Sequence, residues 1–227
     1  MSQKFPELAI CVGMIQNIKV QKENEQPKIL KKKACEEARA NYDAETLKDN
    51  PTVRAYMDMY WKLDIDPTKT RPSGEALLRR VLHHSDLPTI STAVDAYNLA
   101  SMKTIVPISG FDYERLTPPF QVRFARGNEK FAGIGMTEPI PLESKMLVFG
   151  NGKQVLCIYP YRDCDHKDHV EDSHCHDSRI RGSRNISRPA AGSRRDNIVI
   201  YQTGFGRRDR SSRNLSKYYR KTIVRSG

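Results

Sequence analysis

Long apolar stretches are missing from this chain. None of its 227 residues belongs to an apolar run of 18 or more, so no segment is suited to cross a bilayer as a helix. The opening Met1–Pro6 lacks the apolar core of a secretory signal, and a cytoplasmic location is expected. Cysteine is sparse and odd in number: Cys11, Cys35, Cys157, Cys164 and Cys175. Such a set builds no disulfide framework and agrees with a reducing compartment. A glycine-rich phosphate loop is also lacking, since Gly133-x-Gly135 stands alone and reads as a turn. Without that loop, no ATP-dependent ligation and no nucleotide cofactor is expected. Apolar residues make up 38 %, below the usual value of roughly 45–50 %.

Net charge is +11, which invites a nucleic-acid partner. The charge is not evenly spread. From Arg179 to Arg225 there are 14 basic residues against Asp196 and Asp209, leaving 24 basic and 25 acidic residues elsewhere. The globular part is therefore close to neutral. Residues 1–166 read as one folded domain and 167–227 as a basic, disordered tail with too little apolar surface to offset ordering entropy. Cys164, His166, His169, His174, Cys175 and His176 crowd together at the junction. They lack a Cys-x-x-Cys pair, and no metal site is assigned.

Leu8–Ile15 is an apolar run that reads as a buried strand. Asn17–Lys33 reads as a polar loop, and Ala34–Leu47 as a helix of good formers. Pro51 opens a second helix, with Val53, Tyr56, Met57, Tyr60, Trp61 and Leu63 as its core stripe. Two prolines in Asp66–Ser73 mark a connector. Ser73 is placed to cap a helix over Gly74–His83, with Glu75 against its positive end. A further capped helix runs over Thr92–Met102. Short strands follow at Val106–Ile108, Phe120–Ala125, Met146–Phe149 and Val155–Tyr159, with Asn151-Gly152 as a hairpin turn. Helices first and paired strands later predict an α+β fold with a mainly antiparallel sheet.

Three stretches carry chemistry. Arg71 sits among turn residues ahead of a rigid proline. It suits a phosphate clamp, or a structural pair with Asp66 or Asp95. Asp95 and Asn98 lie three apart on one helix, where they either cap a loop or line a pocket. Ser109, Gly110 and Asp112 come just after the Val106–Ile108 strand, and Arg162 lies beyond the last apolar run.

Together, Asp66–Arg80, Val94–Met102 with Val106–Asp112, and Val122–Arg126 with Val155–Asp165 resemble the stand-alone B3/B4 domain family. That family is similar to the editing module of the phenylalanyl-tRNA synthetase β subunit. The resemblance covers residues 7–166. It implies a module that accepts the 3′ end of an aminoacyl-tRNA and, in the synthetase, hydrolyses mischarged tyrosine from it. Arg71, Asp95, Asn98, Ser109, Gly110, Asp112 and Arg162 become the candidate substrate-binding residues. Ser109 stands where the editing module carries a histidine. Serine cannot do imidazole's acid–base work, so binding is placed above catalysis and no catalytic residue is assigned. The partner expected is tRNA or aminoacyl-tRNA. The alternatives are a trans-acting hydrolase of mischarged aminoacyl-tRNA and a binder of free amino acid without RNA.

The tail departs from the family after the Arg162-Asp163 stretch. With freely chosen codons, a one-base offset turns His166–His169 into Thr-Lys-Ile and Arg181–Ile186 into Gly-Val-Pro-Gly-Ile, pieces the family carries in that order. A frameshift near His166 is one account of the tail. A genuine basic arm that binds RNA phosphates, with Tyr218 and Tyr219 for stacking, is the other.

Overall fold

The computed structural model describes residues 8–22, 25–133, 136–158, 162–163, 196–205 and 222–223. Among the described residues four α-helices follow the first strand: α1 (Glu25–Asn41), α2 (Pro51–Lys62), α3 (Ser73–Leu82) and α4 (Thr92–Thr104). The strands are β1 (Leu8–Ile18) ahead of them, then β2 (Ile108–Asp112), β3 (Gln121–Phe124), β4 (Lys130–Phe131) and β5 (Ile140–Pro141). After these come β6 (Leu147–Gly150), β7 (Val155–Ile158), β8 (Arg162–Asp163), β9 (Asp196–Phe205) and β10 (Thr222–Ile223). They form two four-stranded sheets, ordered β10-β1-β9-β2 and β3-β6-β7-β8, and the small pair β4-β5. The described pairings are antiparallel. The fold is α+β, as the order of helices and strands implied.

Local signals account for the starts of α2 and α4. Asn50 Oδ1 accepts the N–H of Thr52 at 2.9 Å and of Val53 at 3.4 Å, with Pro51 at the first helical position. Ser91 Oγ accepts from Val94 N at 3.4 Å and caps α4. Each satisfies donors that a helix start leaves open. At α3 the expected cap is displaced by one residue. Pro72 occupies the flanking position with φ −57° and no side-chain bond, and Ser73 is already helical. Helix α1 begins at Glu25, within the stretch expected to be loop, and ends at Asn41. Proline is tolerated in a first turn, where its missing N–H costs nothing, so Pro27 does not block this start.

The core has two main parts. Ala34, Cys35 and Ala38 of α1, Val53 of α2, Leu78 and Val81 of α3, and Met102 and Ile105 knit the helices together. Ile10, Phe111, Val148, Phe149, Leu156 and Ile158 fill a second core to which both sheets contribute. Met59 of α2 packs with Leu147, Val122 and Phe124, tying that helix to the second sheet. The α2 stripe is shifted from the expected one. It buries Val53, Tyr56, Met59 and Tyr60, while Trp61 is 57 % exposed. One residue past Tyr60 the helix has turned about 100°, which takes Trp61 off the buried face.

The β6–β7 hairpin closes through four residues rather than the expected two. Asn151 Oδ1 accepts from Lys153 N at 2.8 Å and Gln154 N at 2.7 Å, and its Nδ2 donates to the Thr117 carbonyl at 2.6 Å. This side chain makes the turn by standing in for backbone.

Within the stretch expected to be disordered, Asp196–Phe205 is a strand. It pairs with β1 from Leu8 to Ile18 and with β2 from Ile108 to Asp112. Its Ile198-Val199-Ile200-Tyr201 run is β-branched and aromatic, the composition that suits a pleated, half-buried surface. Residues 164–195, and with them the whole Cys/His cluster at the junction, lie outside the described residues.

Candidate functional site at the α3–α4–β2 corner

The connector before α3 is built by Asp66. Its Oδ1 accepts from Thr68 Oγ1 at 2.6 Å and Thr68 N at 2.9 Å, and its carbonyl accepts from Thr70 N at 3.0 Å. The Thr68 hydroxyl and then its N–H hold the Asp66 carboxyl below the ordinary carboxylate range. Arg71, at the end of this turn, pairs with neither Asp66 nor Asp95. Its Nε lies 3.7 Å from Glu75 Oε1, and its side chain is 46 % exposed. Glu75 is buried and takes its hydrogen bond from Arg79 Nε at 2.7 Å. Arg79 also donates to the Ala44 carbonyl at 3.1 Å. Arg71 therefore presents an outward guanidinium held by charge at its inner edge.

Asp95 is buried and committed to the fold. One oxygen accepts from Lys31 Nζ at 3.0 Å, the other from Ile90 N at 2.9 Å. Lys31, equally buried, donates further to the Pro88 carbonyl and Thr89 Oγ1 at 2.8 Å each. Asp95 thus caps the 88–91 loop. Asn98, one turn on, is half-buried.

Helix α4 meets β2 through Val94, Tyr97 and Ile108. Side chains alternate across a strand. Gly110 and Asp112 therefore share the Ile108 face, while Ser109 shares the face of Phe111, which packs 6.3 Å from the Phe149 ring. Ser109 is therefore turned away from the face of β2 that α4 covers through Val94 and Tyr97. Asp112 accepts from Glu114 N at 3.0 Å and caps the turn that follows. Arg162 is in β8, paired with Ile158 in the other sheet. Arg71 precedes α3, Asn98 lies on α4, and Gly110 and Asp112 lie on β2, elements that pack in succession, whereas Ser109 is on the opposite face of β2 and Arg162 is in the other sheet.

A model of the B3/4 domain matches residues 55–175, just over half of the chain. The chain belongs to the B3/4 domain family. It is 39 % identical over 70 residues to the phenylalanine–tRNA ligase β subunit of Coxiella burnetii (strain RSA 493 / Nine Mile phase I). That match takes in 31 % of this chain and 9 % of the relative, so the chain spans about a tenth of the length of the curated protein it matches. Among solved structures it is similar to an N-terminal fragment of the phenylalanyl-tRNA synthetase β subunit from Pyrococcus horikoshii. The TM-score is 0.34 and the identity 15 %, over 51 % of this chain and 35 % of that one.

All seven candidate residues fall inside the B3/4 match. Three others that shape the corner escaped sequence reading. Lys31 sits in a lysine run that looks solvated, Glu75 looks like a helix-dipole charge, and Gly74 looks like an ordinary first-turn glycine. Glycine so early in a helix, next to a connector, was the one available signal. Among the described residues no group of three or more His, Cys, Asp or Glu side chains is placed to hold a metal ion. None of the described helices is long and apolar enough to cross a membrane.

Proposed function

We propose that this B3/4 protein binds the 3′ end of tRNA or aminoacyl-tRNA at the α3–α4–β2 corner. The reading is supported chiefly by the B3/4 match, which spans Arg71, Asn98, Gly110 and Asp112 together. Arg71 supplies an exposed, always-charged guanidinium whose planar fork suits a phosphate. Asn98 offers both a donor and an acceptor to a ribose or an amino-acyl group. Gly110 is buried and adds no side chain between Ile108 and Asp112 on that face. None of Arg71, Asn98, Gly110 and Asp112 supplies an imidazole, and Ser109 lies on the Phe111 face of β2, so recognition rather than hydrolysis is the role these residues fit.

One observation favours a second reading, an amino-acid binder without RNA. Two cations of the helical part are already paired, Lys31 with Asp95 and Arg79 with Glu75. The corner therefore leans on few free positive charges.

Filter binding of the full chain to total deacylated tRNA separates the two. RNA recognition predicts retention that weakens with salt and falls about tenfold in Arg71→Ala, the effect of losing one charge-assisted contact. Absence of tRNA retention at low salt, with binding of free tyrosine or phenylalanine by calorimetry, would leave the second reading standing. Incubation with tyrosyl-tRNA tests hydrolysis directly: release of tyrosine above the buffer rate would overturn the recognition-only role.

A further inference from the structure

We infer that Gly74 and Ser101 are positioning residues that fix Arg71 relative to β2, an inference that rests on the phosphate-clamp reading of Arg71. Arg71 is two residues ahead of α3 and far from β2 in sequence. The segments that lead to each meet backbone to backbone, the first turn of α3 against the 105–106 corner. A Cβ built on Gly74 would lie 2.6 Å from the Ile105 carbonyl carbon, and 2.8 Å from both the Ile105 oxygen and Val106 N. Only glycine allows the first turn of α3 to sit this close.

The backbone it meets is held firmly. Ile105 closes α4 in the left-handed region, φ 58°, a conformation disfavoured for a β-branched residue. It stays there because its side chain is 3 % exposed in the helical core beside Leu78 and Met102. Ser101 Oγ donates to the Val106 carbonyl at 2.7 Å and pins the next residue. Two residues later β2 begins at Ile108. The wedge thus passes the position of α3's start, and with it Arg71, straight to the strand carrying Gly110 and Asp112.

An added methyl at Gly74 meets backbone, which cannot rotate away. Restoring ordinary contact requires α3 and the 105–106 corner to part by roughly 0.6–0.8 Å, and functional side chains tolerate only about half an ångström. A double-mutant cycle read by filter binding of total deacylated tRNA across a salt series tests this. Arg71→Ala should weaken binding about tenfold and reduce the salt slope by about one phosphate contact. Gly74→Ala should reproduce both changes, and the double variant should bind no worse than either single one. Ser101→Ala, which frees Val106 without a clash, should give a smaller loss that is likewise absent in the Arg71→Ala background.

Losses that add, with an unchanged salt slope in Gly74→Ala, overturn the positioning role. If Gly74→Ala does not fold, the Ser101→Ala cycle decides the same question by the same criterion of additivity. An Arg71→Ala chain that binds tRNA as well as the parent, with the same slope, refutes the phosphate clamp itself. That outcome is read on the single variant alone.

Discussion

Asp95→Ala distinguishes a structural carboxylate from a ligand-binding one. The substitution strands Lys31 Nζ, whose side chain is 9 % exposed, without its counter-charge. It also removes the acceptor for Ile90 N. Breaking a buried pair from one side costs about 3–5 kcal/mol, because the remaining charge is left uncompensated. Lys31 keeps two acceptors, the Pro88 carbonyl and Thr89 Oγ1, which draws the cost to the lower end. Ile90 is 40 % exposed, so water reaches its surroundings and the lost bond adds only about 1 kcal/mol. The expected loss is therefore about 3–4 kcal/mol. With a urea m-value near 2–3 kcal/mol/M, the midpoint should fall by roughly 1–2 M. The double variant Lys31→Met/Asp95→Leu replaces the ion pair by apolar groups and should return to within about 2 kcal/mol of the parent. Urea titrations followed by circular dichroism read both. A midpoint unchanged in Asp95→Ala, together with a loss of tRNA affinity, would refute the assignment and make Asp95 a pocket residue.

Three further outcomes follow from the geometry. Glu129 accepts from Arg123 at 2.6 and 2.8 Å and from Arg126 N at 2.7 Å; Arg123 above all holds its carboxyl below the ordinary value. A depressed folded-state pKa stabilises above the unfolded value of about 4.3 and is lost as pH falls through the folded one. Acid titration of Glu129→Gln should accordingly show a shallower stability loss below about pH 4.5 than the parent. Gly150→Ala places a methyl against the Gln154 carbonyl oxygen and 3.0 Å from the Val155 Cα; it should cost about 2–4 kcal/mol by thermal melting. Trp61→Ala, on the outer face of α2, should change stability by less than about 0.5–1 kcal/mol, whereas Tyr60→Ala, fully buried, should cost about 3–5 kcal/mol.

What the sequence made legible is what short-range chemistry decides. Pro51, Asn50 and Ser91 act within one helical turn, so the starts of α2 and α4 could be read directly. The β6 and β7 runs flank the Asn151 turn and pair locally. Burial set by distant partners was out of reach. Lys31 and Asp95 are 64 residues apart, and a lysine in the run Lys31–Lys33 gives no hint that one member turns inward. Asp66 and Asp95 were the partners that sequence suggested for Arg71, and the pairing with Glu75 follows only from where α3 starts. The alternation of β2 turns Ser109 away from α4, the helix that carries Asn98. Alternation is plain from sequence, but which face meets α4 is fixed by Val94 and Tyr97, on a different element.

The last question is whether Asp196–Phe205 belongs to the fold. Strands β1 and β2 are joined only through β9 in the first sheet, so a chain lacking it leaves two strands with open edges. The register also sets Ile200 between Gly13 and Gly110, so the bulky residue of the middle strand has a glycine on either side. A shifted reading frame near His166 would supply such a match by accident, whereas a native tail supplies it by selection. Ile200→Pro decides between them, since proline in a central strand removes a ladder bond and is confined to edges in native sheets. A native β9 predicts a loss of several kcal/mol and loss of tRNA binding with it. A tail foreign to the fold predicts melting and binding unchanged, and a coding sequence in which the frame one base later is open across codons 166–186. Unaltered stability in Ile200→Pro would therefore remove β9 from the functional unit and return the strand slot between β1 and β2 to the sequence in the other frame.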